Sequence, residues 1–416
     1  MNQNYKMKVI IVGAGIGGLT AALALHKIGL DVVVLESAKE IKPLGVGINL
    51  LPHSVRVLTH LGIIDRIASK SIATSDLNYY NRFGQLFWNE PRGKSAGYKW
   101  PQYSIHRGVL QMELYKTVLE RLGPENVLTN HHVTSFIQDD DQMRIQCRSK
   151  ESNETMEDIV GKLLVGADGI NSVVRSQLFP SEGLPKYSEN VLYRGVTRMK
   201  DFLNGSTMVM IGSLKQKMVV YPIDPNPDAQ GNYLINWVGN LKEGQSSLFI
   251  RDWNRESDKG RLVQLYKNWN FDWLNVPEMI SRSNAVYEFP MSDRDPLNQW
   301  TFGRVTLLGD AAHPMYPIGS NGASQAILDA DALADKLMNY EPVKALERYQ
   351  QERLPATTKV VLQNRAKGPD QIMDLMEERF PKGFTPDQIP HDELSAVMDN
   401  YRKVAGFDIQ SLNAKS

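Results

Sequence analysis

The sequence has a single cysteine, Cys147, among its 416 residues. That excludes a disulfide framework and any zinc or iron–sulfur centre built from clustered thiolates. One thiol and a polar beginning, MNQNYK, fit a reducing compartment, so the expected location is the cytoplasm. Long hydrophobic runs are also missing. Val9–Val12 is broken at once by Gly13, and nothing approaches the ~18 apolar residues needed to cross a bilayer, so no membrane span is expected. Neither sign of charge dominates: 47 Lys plus Arg balance 47 Asp plus Glu. Nothing here supplies the clustered positive charge that holds nucleic acid. No H-x-x-x-H or H-E-x-x-H pattern occurs, so His131, His132 and His313 read as polar or packed side chains and no metal is expected. No G-x-S-x-G elbow anchors a serine hydrolase. Repeats and low-complexity tracts are absent as well. What remains is ordinary globular usage, 42% apolar and 23% charged over 46.9 kDa. That is enough for two or three domains, or for one large domain with an insertion.

The informative beginning is VIIVGAGIGGLTAALAL. Lys8–Val12 is β-branched and reads as a buried strand, Gly13–Gly18 as a turn, and Leu19–Ile28 as a helix by its apolar spacing. Asp31–Leu35, DVVVL, is a second strand, which completes a parallel crossover unit. Gly13, Gly15 and Gly18 form G-x-G-x-x-G, with Ile16 and Gly17 inside it. The first glycine permits the turn, the second lets a pyrophosphate approach, and the third lets helix and strand pack. The helix N-terminus then directs free N–H groups at phosphate. Glu36 ends the second strand, placed to accept hydrogen bonds from ribose hydroxyls. This unit binds a dinucleotide without distinguishing NAD from FAD. No second fingerprint follows, since GADGIN (166–171) and GSNG (319–322) do not fit it. Two complete dinucleotide folds are therefore disfavoured.

Further along, residues 74–104 and 187–295 alternate aromatic and polar residues between Pro, Asn, Asp and Gly turns, which are antiparallel-sheet signals. Residues 107–180 return to helix and strand. Residues 304–340 give a strand and a long helix, and 341–416 read as mostly helical. KLLVGADGINSVVR (162–175) and GRVTLLGDAAHPMYPIGSNGASQAILDADAL (303–333) each place a Gly/Asp pair after a strand. These three signatures, in this order, resemble the class A flavoprotein monooxygenases, the aromatic hydroxylases typified by 4-hydroxybenzoate hydroxylase. The resemblance extends to about residue 365. EIKPLGVGINLLP (40–52), EPRG (90–93), PQYSIHRGVLQ (101–111), RGVT (194–197), PMSDRDPL (290–297) and GSNGASQAILD (319–329) resemble, more narrowly, the phenazine-modifying members.

The resemblance implies an α/β fold: a glutathione-reductase-like FAD-binding domain with a parallel sheet, an inserted, mainly antiparallel substrate domain, and C-terminal helices. The expected boundaries are 1–73, 105–185 and 296–365 for the FAD domain, 74–104 and 186–295 for the insertion, and 366–416 for the helical end. It implies bound FAD, with NADH or NADPH as reductant, and transfer of oxygen from a C4a-hydroperoxide of the flavin to an aromatic carbon. In the phenazine relatives hydroxylation displaces a carboxylate. Asp310 matches the acid that binds a ribityl hydroxyl, with a helix cap as its alternative role. Arg107 matches the arginine on the FAD phosphates, and Val133 a position whose backbone holds adenine. Val46 and Gly47 match a mobile loop beside the flavin. Pro317, Gly319, Asn321, Gly322 and Ala323 fall where the family's loop meets the isoalloxazine. Asp168 either supports cofactor and reductant engagement or only caps the helix carrying Ser172 and Arg175. Arg194, Tyr221 and Trp237 on the inserted strands, with Pro317, are the expected substrate contacts. No residue is singled out as a general acid or base. The competing readings are an FAD oxidoreductase of the same fold that inserts no oxygen and a flavin-binding regulatory module.

Overall fold

The computed structural model describes residues 7–200, 203–243 and 255–415. The polar beginning (1–6), residues 201–202 and 244–254 within the expected insertion, and residue 416 lie outside the described residues.

The β-branched runs KVIIV and DVVVL bury four of their five residues each, as strands covered on both faces do. They sit in a six-stranded sheet ordered Thr301–Phe302, Val305–Leu307, Leu163–Gly166, Lys8–Val12, Asp31–Leu35, Val127–Leu128. Its pairings are parallel except that of the edge strand Thr301–Phe302. Residues separated by some 290 positions thus form one sheet, and all three glycine/acid signatures come to its strand ends. The first helix runs Ile16–Lys27, so it begins at the glycine loop itself and not at Leu19 as the apolar spacing predicts. Gly17 and Gly18 carry no apolar signal, which hides that first turn.

A second sheet of seven strands is ordered Val286–Asp293, Lys186–Met199, Tyr233–Lys242, Gln216–Pro222, Thr207–Ser213, Asp76–Tyr80, Leu86–Pro91. Only the Thr207–Ser213/Asp76–Tyr80 pair is parallel. Its far face carries Trp237, Val220, Met218 and Ile211, packed with Tyr266, Trp269 and Met279. The near face carries Leu77, Tyr79, Met208, Met210, Val219 and Tyr221. Ile372, Met373, Met376, Leu394 and Met398 of the helices Gln371–Arg379 and His391–Val404 pack onto that near face. These methionines fill space between irregular surfaces, as a flexible thioether side chain does well.

Cys147 has polar sequence neighbours, Gln146 and Arg148, yet it is 1% exposed. On Met143–Ser149 the odd residues Met143, Ile145 and Cys147 point into the main core. Burial pushes its thiol up to about 11. Among the described residues no helix is long and apolar enough to cross a membrane.

Candidate active site

The glycine loop has the geometry a pyrophosphate needs. Gly13 has φ +104°, and a Cβ there would meet the Ala167 carbonyl at 2.5 Å. At Gly18 a Cβ would stand 2.0 Å from the Gly13 carbonyl oxygen. At Gly17 it would press on the Leu308 and Ala326 side chains. Gly15 is different: its backbone is extended, it precedes the helix, and a Cβ would meet nothing within 4 Å. Open space therefore faces the free N–H groups of the helix start, where Ile16 is the first residue. Glu36 accepts from Ala14 N at 2.9 Å and from Ala38 N at 2.8 Å, which holds its carboxylate against the loop. Gln111 Nε2 donates to Ala14 O on the other side. Val133 is buried on the strand His131–Gln138, which joins the Glu36 carbonyl through His131 N.

The other two signatures converge on the same edge. Asp168 accepts from Ser172 Oγ (2.5 Å) and Val173 N (2.7 Å), and Ser172 in turn caps the helix Val173–Leu178. Of the two readings open for Asp168, its visible contacts are those of the cap. Burial raises its carboxyl pKa, against those hydrogen bonds. Arg175 from this helix donates to Ala311 O and Ala312 O at 3.0 and 2.9 Å, tying the second signature to the third. Asp310 makes no hydrogen bond to the described residues. It is exposed, yet enough protein surrounds it to desolvate its carboxyl. Crowding raises its carboxyl pKa, opposed by His313 and Arg107. Arg107 opens the helix Arg107–Leu122, and its guanidinium is depressed by burial with Asp310 opposing. Behind Asp310, Asp329 accepts from Gly309 N (3.0 Å), His313 (2.6 Å) and Arg353 (2.7 Å), all buried. Sequence reading did not single out this network, although Asp329 falls within the third signature.

The near face of the second sheet meets the segment around Gly47–Leu50. Cross-strand pairing puts Arg194 beside Val238 and Tyr287, and Tyr221 beside Asn236, on that face. The Arg194 guanidinium stands 5.2 Å from the Phe289 ring centre, and its Nε has no hydrogen-bond partner among the described residues. Burial lowers its pKa, with Tyr221 opposing and Arg107 adding to the effect. Tyr221 is raised by burial against the pull of Arg194. Arg107, Asp310, Arg194 and Tyr221 thus share one electrostatic neighbourhood. Val46 is buried and its carbonyl accepts from Arg107 N. Gly47 donates to Asn236 Oδ1 at 2.7 Å, and a Cβ on it would collide with Asn236 and Ile223. Gly47, in the expected mobile loop, thus meets the second sheet.

Trp237 is a correction. As the neighbour of Asn236 it points to the opposite face, fully buried, its Nε1 donating to Thr197 and Ser283. It does not share the face of Arg194 and Tyr221. Phe289 and Asn236 are near-face residues that sequence reading missed; they lie on other strands than Arg194 and Tyr221, so only the cross-strand register finds them.

At the third signature Pro317 is exposed, Gly319 has φ +67°, and Asn321 precedes the helix Gly322–Asn339. Nothing stands within 4 Å of a Cβ on Gly322, and Ala323 is half-buried. Open space thus faces a second helix N-terminus. Among the described residues no group of three or more His, Cys, Asp or Glu is disposed to hold a metal ion.

The sequence matches a family model described as FAD binding domain over residues 6–364. A phenazine 1,6-dicarboxylic acid hydroxylase of Lysobacter antibioticus is 42% identical over 97% of this chain and 98% of its own length. A 3-hydroxybenzoate 6-hydroxylase of Aquipseudomonas alcaligenes is 32% identical over 85% and 86%. A salicylate hydroxylase substrate complex superposes with a TM-score of 0.75 at 20% identity, covering 98% of this chain and 97% of that one. The Klebsiella pneumoniae HpxO complex with FAD and uric acid gives 0.73 at 21%, covering 99% and 97%. Sheet order and relatives agree with the fold expected from the three signatures. The phenazine-type stretches of sequence, which resemble 5-methylphenazine-1-carboxylate 1-monooxygenase of pyocyanin formation, agree with the 42% relative. The chain belongs to the FAD binding domain family and, within it, to the class A flavoprotein aromatic hydroxylases.

Proposed function

We propose that this FAD-dependent aromatic monooxygenase hydroxylates a planar phenazine-type carboxylate. The observation that carries the substrate class is Arg194: a guanidinium with no anionic partner among the described residues, over Phe289 and near Tyr221 and Arg107. A planar ring fits between aromatic walls, and a carboxylate satisfies an arginine fork in two-point geometry. The 42% relative, a hydroxylase of phenazine dicarboxylic acid, supports the same reading.

The residues present fit FAD. Open space at Gly15 and Gly322, an acid at Glu36 and the Arg107–Asp310 pair are what a pyrophosphate, a ribose and a ribityl chain require. We assign cofactor contacts to Gly13–Gly18, Glu36, Val46, Gly47, Arg107, Val133, Asp310 and Gly319–Ala323, and substrate contacts to Arg194, Tyr221 and Pro317. Asp168 we assign to orienting its helix beside the loop. When bound, FAD supplies electron transfer from NADH or NADPH and activation of O2. The chain's own residues do the rest. Arg107 and the first helix N-terminus neutralise phosphate charge. The N-terminus of Gly322–Asn339 would offer positive potential to negative charge on a group held in front of it. Arg194 orients the substrate by its carboxylate. The apolar near-face residues Val196, Val238 and Met208 exclude water.

We divide the chain as the sequence reading does, into a cofactor unit (1–73, 105–185, 296–365), a substrate unit (74–104, 186–295) and a C-terminal unit (366–416); the separate six- and seven-stranded sheets support the first two units, with strand Gln102–His106 crossing their boundary. A cytoplasmic location is supported by one buried thiol and the need for reduced nicotinamide. The test is NAD(P)H oxidation and product mass across phenazine carboxylates, hydroxybenzoates and uncarboxylated phenazine. The proposal expects the first class to stimulate oxidation most and to gain a hydroxyl, with or without loss of CO2. Equal stimulation by uncarboxylated phenazine would refute the role of Arg194.

A further inference from the structure

The family match ends at residue 364, but the chain continues, and its last long helix reaches back to the loop assigned to the isoalloxazine. Tyr401, 3% exposed on His391–Val404, places its hydroxyl among three groups. It accepts from Asn321 Nδ2 at 2.9 Å, and it stands 2.9 Å from Asn364 Oδ1 and 3.1 Å from Ile318 O as possible acceptors for its proton. The Asn364 amide is already oriented, because its Nδ2 donates to Tyr316 O. Asn321 is fully buried and also donates to Gly319 O. One turn further on, Gln325 donates to Ala405 O at the end of the same C-terminal helix.

The loop needs such support. Gly319 and Ser320 both have positive φ, +67° and +58°, and Ser320 has a side chain that disfavours it. A Cβ on Gly319 would stand 2.0 Å from the Tyr401 hydroxyl, so loop and tyrosine leave no slack. A strained loop persists only where its surroundings over-determine it, and here the surroundings are a helix about 80 residues away.

We propose that Tyr401 is a positioning residue of the flavin site: its hydroxyl holds Ile318–Asn321 in the conformation that presents the Gly322 helix end to the cofactor. This rests on the assignment of residues 317–323 to FAD. The helix from His391 to Val404 is then a working part of the cofactor site and not a mere cover for the second sheet.

The test compares Tyr401→Phe with Tyr98→Phe. Tyr98 belongs to the same apolar cluster and loses a buried hydrogen bond too, to Phe407 O at 2.6 Å, but it does not reach the loop. FAD affinity of the apoprotein, the visible flavin spectrum and midpoint potential, and the apoprotein melting temperature are measured for both. Tyr401→Phe should raise the FAD Kd about tenfold and shift spectrum and potential, while Tyr98→Phe leaves all three flavin readouts unchanged. Asn364→Ala, which removes another partner of the same hydroxyl, should move them in the same direction. Flavin readouts unchanged in Tyr401→Phe, or shifted equally in Tyr98→Phe, would overturn the proposal. Asp310→Ala run alongside separates two failures. If it loses FAD while Tyr401→Phe does not, only the positioning role falls; if neither loses FAD, the cofactor assignment falls as well.

Discussion

Substituting Gly15 by alanine separates cofactor binding from folding. Gly15 has φ −75° and ψ −178°, a conformation any residue adopts, and its added methyl would meet no protein atom within 4 Å. The apoprotein should therefore melt as wild type does or slightly higher, since alanine restricts the unfolded chain by about 0.4–1 kcal/mol. The same methyl would occupy the space in front of the helix N-terminus. Pushing a pyrophosphate outward there breaks on the order of two charge-assisted hydrogen bonds. At roughly 1.5 kcal/mol each, the loss is about 3 kcal/mol, or about a hundredfold in Kd. Gly18→Ala is the contrast. Its Cβ would lie 2.0 Å from the Gly13 carbonyl, so it should destabilise the apoprotein itself, by about 3 kcal/mol. Thermal melts of both apoproteins and FAD titration by fluorescence quenching read the two effects apart. Wild-type FAD affinity in Gly15→Ala would refute the placement of the pyrophosphate; a wild-type melt in Gly18→Ala would refute the packing of the loop.

Other outcomes follow from the same geometry. Asp329→Asn leaves buried Arg353 and His313 facing a neutral amide and should cost about 3–5 kcal/mol by urea unfolding. In the wild type, burial pushes the Asp329 carboxyl up, but His313 and Arg353 outweigh it and hold it at about 2, below its ordinary 3.8. Its contribution to stability is therefore complete above pH ~4 and lost as pH falls towards 2, and acid unfolding of the Asn variant should lack that slope. Arg194→Met should raise KM for a carboxylate substrate roughly tenfold or more while sparing an uncarboxylated analogue; equal effects on both would contradict carboxylate recognition. Cys147 should resist thiol reagents in the folded protein and react once unfolded, because burial raises its thiol to about 11; rapid labelling of the native enzyme would count against the packing described.

The cofactor half was legible because its signals are local. A β-branched strand, four glycines and an acid one strand later announce a phosphate loop before any tertiary contact is known. The three signatures were legible as separate motifs, and the sheet order explains why they are one site. Local signals fail where parity or distance decides. Trp237 and Asn236 are adjacent, and one residue of register determines which shares a face with Arg194 and Tyr221. Cys147 has polar neighbours in sequence but apolar ones in space. Tyr401 carries no motif; its role depends on a helix packing back across about 80 residues of chain, which no local pattern encodes. The Asp329 network was hidden for a related reason, since Arg353 meets it from a different helix.

The central claim is that one FAD sits where the three signatures meet, with its reactive edge open to the Arg194 and Tyr221 wall. Turnover of a phenazine carboxylate under ¹⁸O2, with NAD(P)H consumption followed in the same vessel, tests it most directly. The account predicts one labelled oxygen atom in each product molecule for each NAD(P)H consumed. Unlabelled product, or consumption that ends entirely in hydrogen peroxide for every planar aromatic carboxylate offered, would contradict it.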